Sequence, residues 1–315
     1  MKISANQTSL CIVLLIAASV LQAPCRAEDD PVLNLARFHF KKGEYRKAQK
    51  EFTEAINKDP HKSYIYQERA ECFEKLGLNT ESMSDYSAAL KLAPKNGWLW
   101  LQYAHKMRQM ESLDAAARAF EKAIALHCGE EGSAYRDLAE VLSESGQRRE
   151  SIAAYKQAYA LLKNQDDRFD ILRRTSENYL ALKQPQEALA ELNKAIAMCP
   201  NEERPYRGRA RIYSELKEYD KAIADISRSM KCHLNKEQMA GALRMRARFY
   251  EMSGQTEKAI EDLTQLFKLF PRRTRALFDR ATLYDKINKH DLANKDRAQV
   301  REIDAHGGDV KWGKF

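Results

Sequence analysis

The stretch Gly43-Glu-Tyr-Arg-Lys-Ala-Gln-Lys-Glu-Phe-Thr-Glu-Ala-Ile-Asn-Lys-Asp-Pro60 decides the fold, because its pattern of small and large residues returns along the chain. Its Gly, Ala, Phe, Ala and Pro positions reappear 34 residues later as Gly77, Ser82, Tyr86, Ala89 and Pro94. A fixed period of this length indicates stacked supersecondary units, each too small to bury its apolar face alone. The sequence therefore predicts a tandem array of such units.

The period continues to the C-terminus and gives eight repeats. With Gly43 counted as position 15, the repeats begin at Asp29, Ser63, Gly97, Gly132, Phe169, Glu203, Ala240 and Thr274. Each repeat contains two stretches in which apolar residues recur at three- and four-residue spacing, so each is predicted to form two amphipathic helices. Extra residues fall only in polar segments before the fourth, fifth and seventh repeats, where stacked repeats tolerate insertions.

Three positions of the repeat carry the packing pattern. Positions 8 and 20 hold Ala or Ser throughout, so two antiparallel helices can approach closely there. Position 24 is predicted to fill the space between repeats. Its residues are Phe52, Tyr86, Phe120, Tyr155, Leu192, Ile226 and Leu263, with Arg297 in the terminal repeat, which has no successor to pack against. Prolines at 60, 94, 200 and 271 are expected to follow the ends of second helices, because proline lacks an N–H group.

This pattern resembles the tetratricopeptide repeat family over residues 29 to about 307. The resemblance implies an all-α tetratricopeptide repeat α-solenoid, a right-handed superhelix of helix-turn-helix hairpins whose first helices line a concave groove. It implies almost nothing about the ligand. The expected partner, a protein or peptide with an acidic segment, rests on the residue pattern given below. We assign residues 28–307 to the repeat domain and residues 308–315 to a C-terminal tail. Trp312 and Phe315 in that tail either fold back onto the last helix or form a contact peptide.

The first residues have the composition of a secretory signal peptide. Met1-Lys2 precedes an apolar run from Leu10 to Leu21, and small residues further on fit cleavage after Ala27. The run is shorter than the roughly 20 residues that span a bilayer, which disfavours the alternative of an uncleaved membrane anchor. We therefore expect residues 1–27 to be removed, the mature chain to have no transmembrane helix, and the protein to be exported, either periplasmic or secreted.

Composition and motifs argue against several functional classes. Removing Lys2 and Arg26 with the signal peptide lowers the formal net charge from +8 to +6, so the chain is mildly basic and no nucleic-acid partner is expected. No P-loop, GxGxxG or GxSxG motif occurs, and the histidines are scattered. The expectation is a protein that is not an enzyme and has no metal or cofactor.

The cysteines of the mature chain, at positions 72, 128, 199 and 232, show neither a CxxC motif nor metal-ligand spacing. We interpret them as small apolar residues. Because Cys199 and Cys232 fall near the ends of equivalent helices in neighbouring repeats, a disulfide between them is the alternative.

Four repeats share an arginine at position 7 and an aspartate at position 23. The pairs are Arg69 with Asp85, Arg209 with Asp225, Arg246 with Asp262, and Arg280 with Asp296. The four repeats that lack the arginine also lack the aspartate. Positions 7 and 23 lie at one level of an antiparallel hairpin, as positions 8 and 20 do. We therefore predict an ion pair inside each of these hairpins, with a structural role.

A second set of arginines occupies positions 2, 5 and 9, which the resemblance places on the concave groove. The predicted partner-binding arginines are Arg136, Arg173, Arg204, Arg207, Arg211, Arg244, Arg248 and Arg275. Early repeats hold apolar or aromatic residues there, including Leu33 and Leu101, and Tyr64 and Trp98 are predicted to anchor a partner. Planar guanidinium groups suit carboxylates and phosphates. The alternative is a solvated face on which carboxylates such as Asp279 pair with the arginines.

Three functions fit this sequence. The favoured one is an exported, non-catalytic protein-interaction scaffold that binds an extended, acidic partner segment in the groove. The second is a structural subunit of an envelope assembly, which would use other surfaces. The third is a binder of an anionic envelope polymer, such as a phosphate-bearing glycan.

Overall fold

A computed structural model describes residues 30–305, so the predicted signal peptide and the C-terminal tail with Trp312 and Phe315 lie outside the described residues. Within residues 30–305 the chain forms 16 α-helices and no strand, which confirms the predicted all-α class. The helices are α1 (Pro31–Lys41), α2 (Tyr45–Lys58), α3 (Ser63–Lys75), α4 (Asn79–Leu92), α5 (Gly97–Gln109), α6 (Leu113–Ala125), α7 (Glu131–Glu144), α8 (Arg148–Leu161), α9 (Gln165–Ala181), α10 (Pro185–Met198), α11 (Glu203–Glu215), α12 (Tyr219–Ser229), α13 (Lys236–Met252), α14 (Thr256–Leu269), α15 (Arg275–Lys286) and α16 (His290–Ala305).

The chain divides into two compact units, with the boundary inside α7 between Ala134 and Tyr135. The N-terminal unit has an apolar cluster that includes Leu33 and Phe52, and the C-terminal unit has one that includes Leu263. In both units the small residues at positions 8 and 20 are buried, as are the large residues at position 24 from Phe52 to Leu263. The predicted packing of small against large residues is therefore confirmed.

The ends of the second helices and of the array also follow the sequence pattern. Helices α2, α4, α10 and α14 each end two residues before one of the four prolines. In the terminal repeat Arg297 is half-exposed and pairs with Asp285, so the polar replacement remains in contact with water as expected.

The turn inside each hairpin has the same conformation in all eight repeats. The residue at position 15 has a positive φ, between 58° and 85°, and the next N–H donates to the carbonyl five residues earlier at 2.8–3.0 Å. This is the Schellman arrangement that ends a helix in the left-handed region. Glycine occupies the position in four repeats, and the other four hold Glu111, Lys183, Lys217 and Asn288. Residues with a Cβ atom are strained there.

This strain predicts the effect of two substitutions at exposed turns. Lys183 has a φ of 58°, so Lys183→Gly should raise the free energy of unfolding by about 1 kcal/mol. Gly146 provides the opposite test, because it has a φ of 85° and nothing within 4 Å of an added Cβ atom. Gly146→Ala should lower the free energy of unfolding by about 1 kcal/mol, since alanine is strained at this φ. Equilibrium urea unfolding followed by circular dichroism measures both. A loss of stability in Lys183→Gly would contradict the assignment of strain to this position.

Candidate partner-binding site

The arginines at position 7 bind inside their own hairpins, as predicted. In every pair the Nε and one terminal nitrogen of the arginine donate to the two carboxylate oxygens of the aspartate, at 2.6–2.8 Å. The aspartates Asp85, Asp225, Asp262 and Asp296 are buried. The hydrogen bonds that Arg246 donates to Asp262 raise the pKa of the Arg246 guanidinium above its ordinary value. These pairs therefore hold each hairpin together and leave no arginine of this set for a ligand.

Each of these arginines also makes a contact that the sequence analysis missed. The remaining terminal nitrogen donates to a polar side chain of the preceding repeat at 2.6–3.1 Å. The acceptors, all at position 25, are Thr53, Asn193, Ser227 and Thr264. The sequence did contain a signal for this contact, because each repeat that precedes a position-7 arginine has a hydroxyl or amide side chain at position 25. One guanidinium thus joins two helices of its own repeat to the repeat before it.

Four of the predicted partner-binding arginines lie around one cavity in the C-terminal unit. The cavity has a volume of about 600 Å³, and its walls come from α9, α10, α11 and α13. We call it the Arg211 pocket. It is lined by Arg173, Ser176, Glu177, Leu180, Leu192, Arg204, Arg207, Gly208, Arg211, Glu215 and Met245. The structure therefore places Arg173, Arg204, Arg207 and Arg211 around one cavity, and their role in binding a partner stays a prediction.

The charges of the Arg211 pocket are less one-sided than the sequence suggested. Arg173 pairs with Asp170 at 2.7 Å and with Glu177 at 2.6 Å, because these carboxylates lie one helical turn away on α9. Arg204 pairs with Glu202 at 2.7 Å, and Arg207 approaches Glu203 at 3.3 Å. Arg211 is exposed on the pocket wall and forms no hydrogen bond or ion pair within residues 30–305. The expected strongly basic surface is thus largely neutralised by local carboxylates.

The other predicted arginines do not line this pocket. Arg136 pairs with Asp137 at 3.2 Å and with Asp167 at 3.0 Å. Arg275 pairs with Asp279 at 2.9 Å, the contact that the alternative of a solvated face anticipated. Arg244 is half-buried on α13, and Arg248 is exposed on the same helix. These four residues therefore extend the arginine set along the first helices without joining the pocket itself.

Tyr64 and Trp98 belong to the N-terminal unit. Trp98 leaves 40% of its surface exposed, so its indole is available to a partner. Tyr64 is half-buried, and the guanidinium of Arg37 lies 5.9 Å from its ring centre. The expectation that Leu33 and Leu101 face the groove was wrong, because both side chains are buried. Large aliphatic side chains gain more free energy by burial than arginine does at the same repeat position.

The floor of the Arg211 pocket was not predicted from the sequence. Leu180, Leu192 and Met245 supply apolar surface, and Gly208 leaves the space above Leu192 open. Leu192 was predicted only to pack between repeats; it does so, and it also forms part of the pocket floor. The available signal was Gly208 itself, because the other seven repeats carry a residue with a side chain at this position.

The cysteines and the potential metal ligands of residues 30–305 are the other groups that could carry chemistry. All four cysteines of residues 30–305 are free thiols, namely Cys72, Cys128, Cys199 and Cys232. The structure therefore does not contain the alternative Cys199–Cys232 disulfide. Burial raises the pKa of the Cys72 thiol to about 12, which keeps it protonated and unreactive. No group of three or more His, Cys, Asp or Glu in the described part of the chain is arranged to hold a metal ion. Among the helices of residues 30–305, none has the length and apolar content needed to cross a membrane.

Comparison with known proteins agrees with this architecture. Human mitochondrial import receptor subunit TOM70 is 26% identical over 292 residues, which cover 88% of this chain and 47% of that protein, and the Rattus norvegicus protein gives the same values. The chain thus spans about half the length of the curated relatives it matches. The C-terminal part of a TPR repeat-containing protein from Cytophaga hutchinsonii has a TM-score of 0.64 at 17% identity, covering 78% of this chain and 98% of that one, which shows the fold alone.

Family models described as tetratricopeptide repeat match residues 33–97, 137–203 and 242–272. These segments lie in both units and contain the hairpins described above. Together with the recurring turn and the buried small residues, the matches show that this chain belongs to the tetratricopeptide repeat family.

Proposed function

We propose that this protein is an exported, non-catalytic interaction scaffold that binds an extended acidic segment of a partner polypeptide along the first helices α9, α11 and α13. The observation that carries the proposal is the Arg211 pocket, where four arginines from two successive repeats surround one cavity. Tetratricopeptide repeat proteins bind proteins or peptides, and the curated relatives are import receptor subunits by name, which agrees with a polypeptide partner. Trp98 and Tyr64, in the N-terminal unit, are proposed separately as apolar anchors for a partner.

The decisive experiment compares peptide selection on two forms of the protein. A displayed library of random dodecapeptides is panned on the full chain and on the double variant Arg207→Glu with Arg244→Glu. Peptides rich in Asp and Glu should be enriched at least tenfold on the unmodified chain and not on the double variant, because the new carboxylates repel them. The double variant should remain helical, but its melting temperature should fall, because Arg207→Glu places a carboxylate where the buried Glu203 has its ion partner at 3.3 Å; circular dichroism at the panning temperature checks that it is folded.

The control is Lys91→Glu, which reverses one charge at an exposed site on the second helix α4, half the change of the double variant, and should leave the selection unchanged. Equal enrichment on the double variant would eliminate this surface as the site and favour the structural-subunit function. Retention of polyphosphate without enrichment of any peptide would overturn the proposal in favour of an anionic polymer.

The export part of the proposal rests on the apolar segment Leu10–Leu21 and the small residues before Glu28. If it holds, N-terminal sequencing of the protein from its native source should begin near Glu28, and fractionation should find it outside the cytoplasm. Sequencing that finds Met1 on the mature protein would contradict export.

A further inference from the structure

The Arg211 pocket has one open positive charge and two carboxylates on its wall. Arg173, Arg204 and Arg207 already face carboxylates at 2.6–3.3 Å, whereas Arg211 has no such partner within the described residues. Glu177 and Glu215 line the same cavity. Glu177 is paired with Arg173, so Glu215 is the lining carboxylate without an ion pair within the described residues. A ligand with a single negative charge matches this arrangement, because a phosphate dianion near Arg211 would meet stronger repulsion from Glu215. The charge balance therefore favours one carboxylate over a phosphate.

The floor of the same pocket is apolar and open because of Gly208. This glycine lies within α11, where glycine is less favourable for the helix than alanine. The backbone does not require it, since a Cβ atom built there would meet Leu192 side-chain carbons at 3.4 Å and 3.5 Å, which is ordinary contact. The effect of glycine at this position is to keep free the volume between Leu192, Leu180 and Met245. A cavity of this size with an apolar floor suits a large apolar group.

We propose that the Arg211 pocket recognises two adjacent features of a partner polypeptide: a large apolar side chain, which enters above Gly208, and a neighbouring Asp or Glu carboxylate, which pairs with Arg211. This inference rests on the proposed function and adds the chemistry of recognition to it. The apolar side chain gains by leaving water, and the guanidinium of Arg211 gains the carboxylate partner that its own chain does not provide. A segment of aspartates and glutamates alone would leave the pocket floor unfilled.

The test uses four capped, fluorescein-labelled peptides that share one Gly-Ser backbone. The first carries a central Phe-Glu pair, the second Phe-Gln, the third Phe-phosphoserine, and the fourth Ala-Glu. Fluorescence anisotropy with the full chain should give the highest affinity for Phe-Glu. Replacing Glu by Gln should weaken binding about tenfold, and replacing Phe by Ala should weaken it by about tenfold to a hundredfold. The phosphoserine peptide should bind more weakly than Phe-Glu, because the phosphate dianion is repelled by Glu215.

Variants of the protein test the two halves of the pocket. Arg211→Gln should weaken binding of the Phe-Glu peptide about tenfold and remove the preference for Glu over Gln. Gly208→Leu should weaken it by more than tenfold, because the new side chain occupies the floor. Gly208→Ala, which fits at ordinary contact distance, provides a smaller change in a folded protein and should bind at an intermediate affinity. The matched control is Gly241→Leu on α13, where no atom lies within 4 Å of the new Cβ and binding should stay unchanged.

The outcomes separate this inference from the proposed function. Acidic peptides selected from the display library but unaffected by Arg211→Gln and Gly208→Leu would overturn the inference and leave the proposed function standing. Tighter binding of the phosphoserine peptide would overturn the preference for a carboxylate. Failure of all four peptides to bind, with successful library selection, would likewise reject the pocket as the recognition site.

Discussion

Replacing Asp262 by alanine is expected to lower the free energy of unfolding by about 3–5 kcal/mol, the cost of removing one partner from a buried ion pair. Asp262 is 2% exposed and accepts two hydrogen bonds from Arg246 at 2.6 Å and 2.8 Å. Without the carboxylate, the guanidinium of Arg246 retains the hydroxyl of Ser227 at 3.1 Å and the ring of Tyr250 at 5.8 Å. Neither neutralises its charge. Equilibrium urea unfolding monitored by circular dichroism measures the loss.

Two further variants make this result specific. Glu54→Ala breaks the exposed pair between Glu54 and Lys58, which are one helical turn apart, and should cost at most about 1 kcal/mol. The double variant Arg246→Met with Asp262→Leu removes both charges and should recover most of the stability lost in Asp262→Ala, because apolar residues of similar size replace a buried pair well. A cost below about 1 kcal/mol for Asp262→Ala would show that the pair does not hold the hairpin.

Gly97→Ala is expected to cost about 1–3 kcal/mol, because the added methyl group has no space. A Cβ atom on Gly97 would lie 2.8 Å from the carbonyl oxygen of Leu126 and 3.1 Å from both the carbonyl oxygen of Ala123 and the Cα of Cys128. These are backbone atoms at the end of α6 and in the loop that follows, so relief requires moving a helix rather than a side chain. The start of α5 must therefore shift away from the end of α6 within this hairpin.

The same substitution at Gly241 is the control for Gly97→Ala. No atom lies within 4 Å of a Cβ at Gly241, and alanine favours the helix, so Gly241→Ala should raise stability by about 0.5–1 kcal/mol. Urea unfolding of both variants gives the comparison. Equal stability of Gly97→Ala and the original protein would mean that the close approach of α5 and α6 relaxes without cost.

The repeat period was sufficient to predict the helical hairpins and much of their interior. Small residues recur at two positions and large ones at a third, and each was found buried because the spacing defines helix faces that must pack together. The ion pairs followed from the same numbering, since Arg246 and Asp262 occupy positions that face each other in a hairpin. The position of Gly43 in the repeat also predicted where every hairpin turn lies, including the turns in which a lysine or glutamate adopts the left-handed conformation.

Polar residues buried at apolar positions could not be predicted from the period. Position 10 holds Cys72, Ile212 or Phe249 in other repeats, but Lys106 in the third and Asn178 in the fifth, and all are buried. Lys106 donates to Asn79 and Gln109 at 2.9 Å and 3.0 Å, and Asn178 is hydrogen-bonded to serines of the preceding repeat. Such groups are tolerated because each has partners, and partners distant in sequence leave no periodic signal.

The sequence by itself determined the fold class, the hairpin turns, the internal ion pairs and the arginine-rich character of the later first helices, because all of these depend on spacing within one or two repeats. The tertiary structure decided which arginines remain open. Most of those predicted to bind a partner pair with carboxylates, whereas Arg211 and Arg248 have no such partner within residues 30–305. It also decided that α5 approaches α6 closely at Gly97 and that Gly208 opens the floor of a pocket, since the surroundings of a glycine are set only when the helices pack.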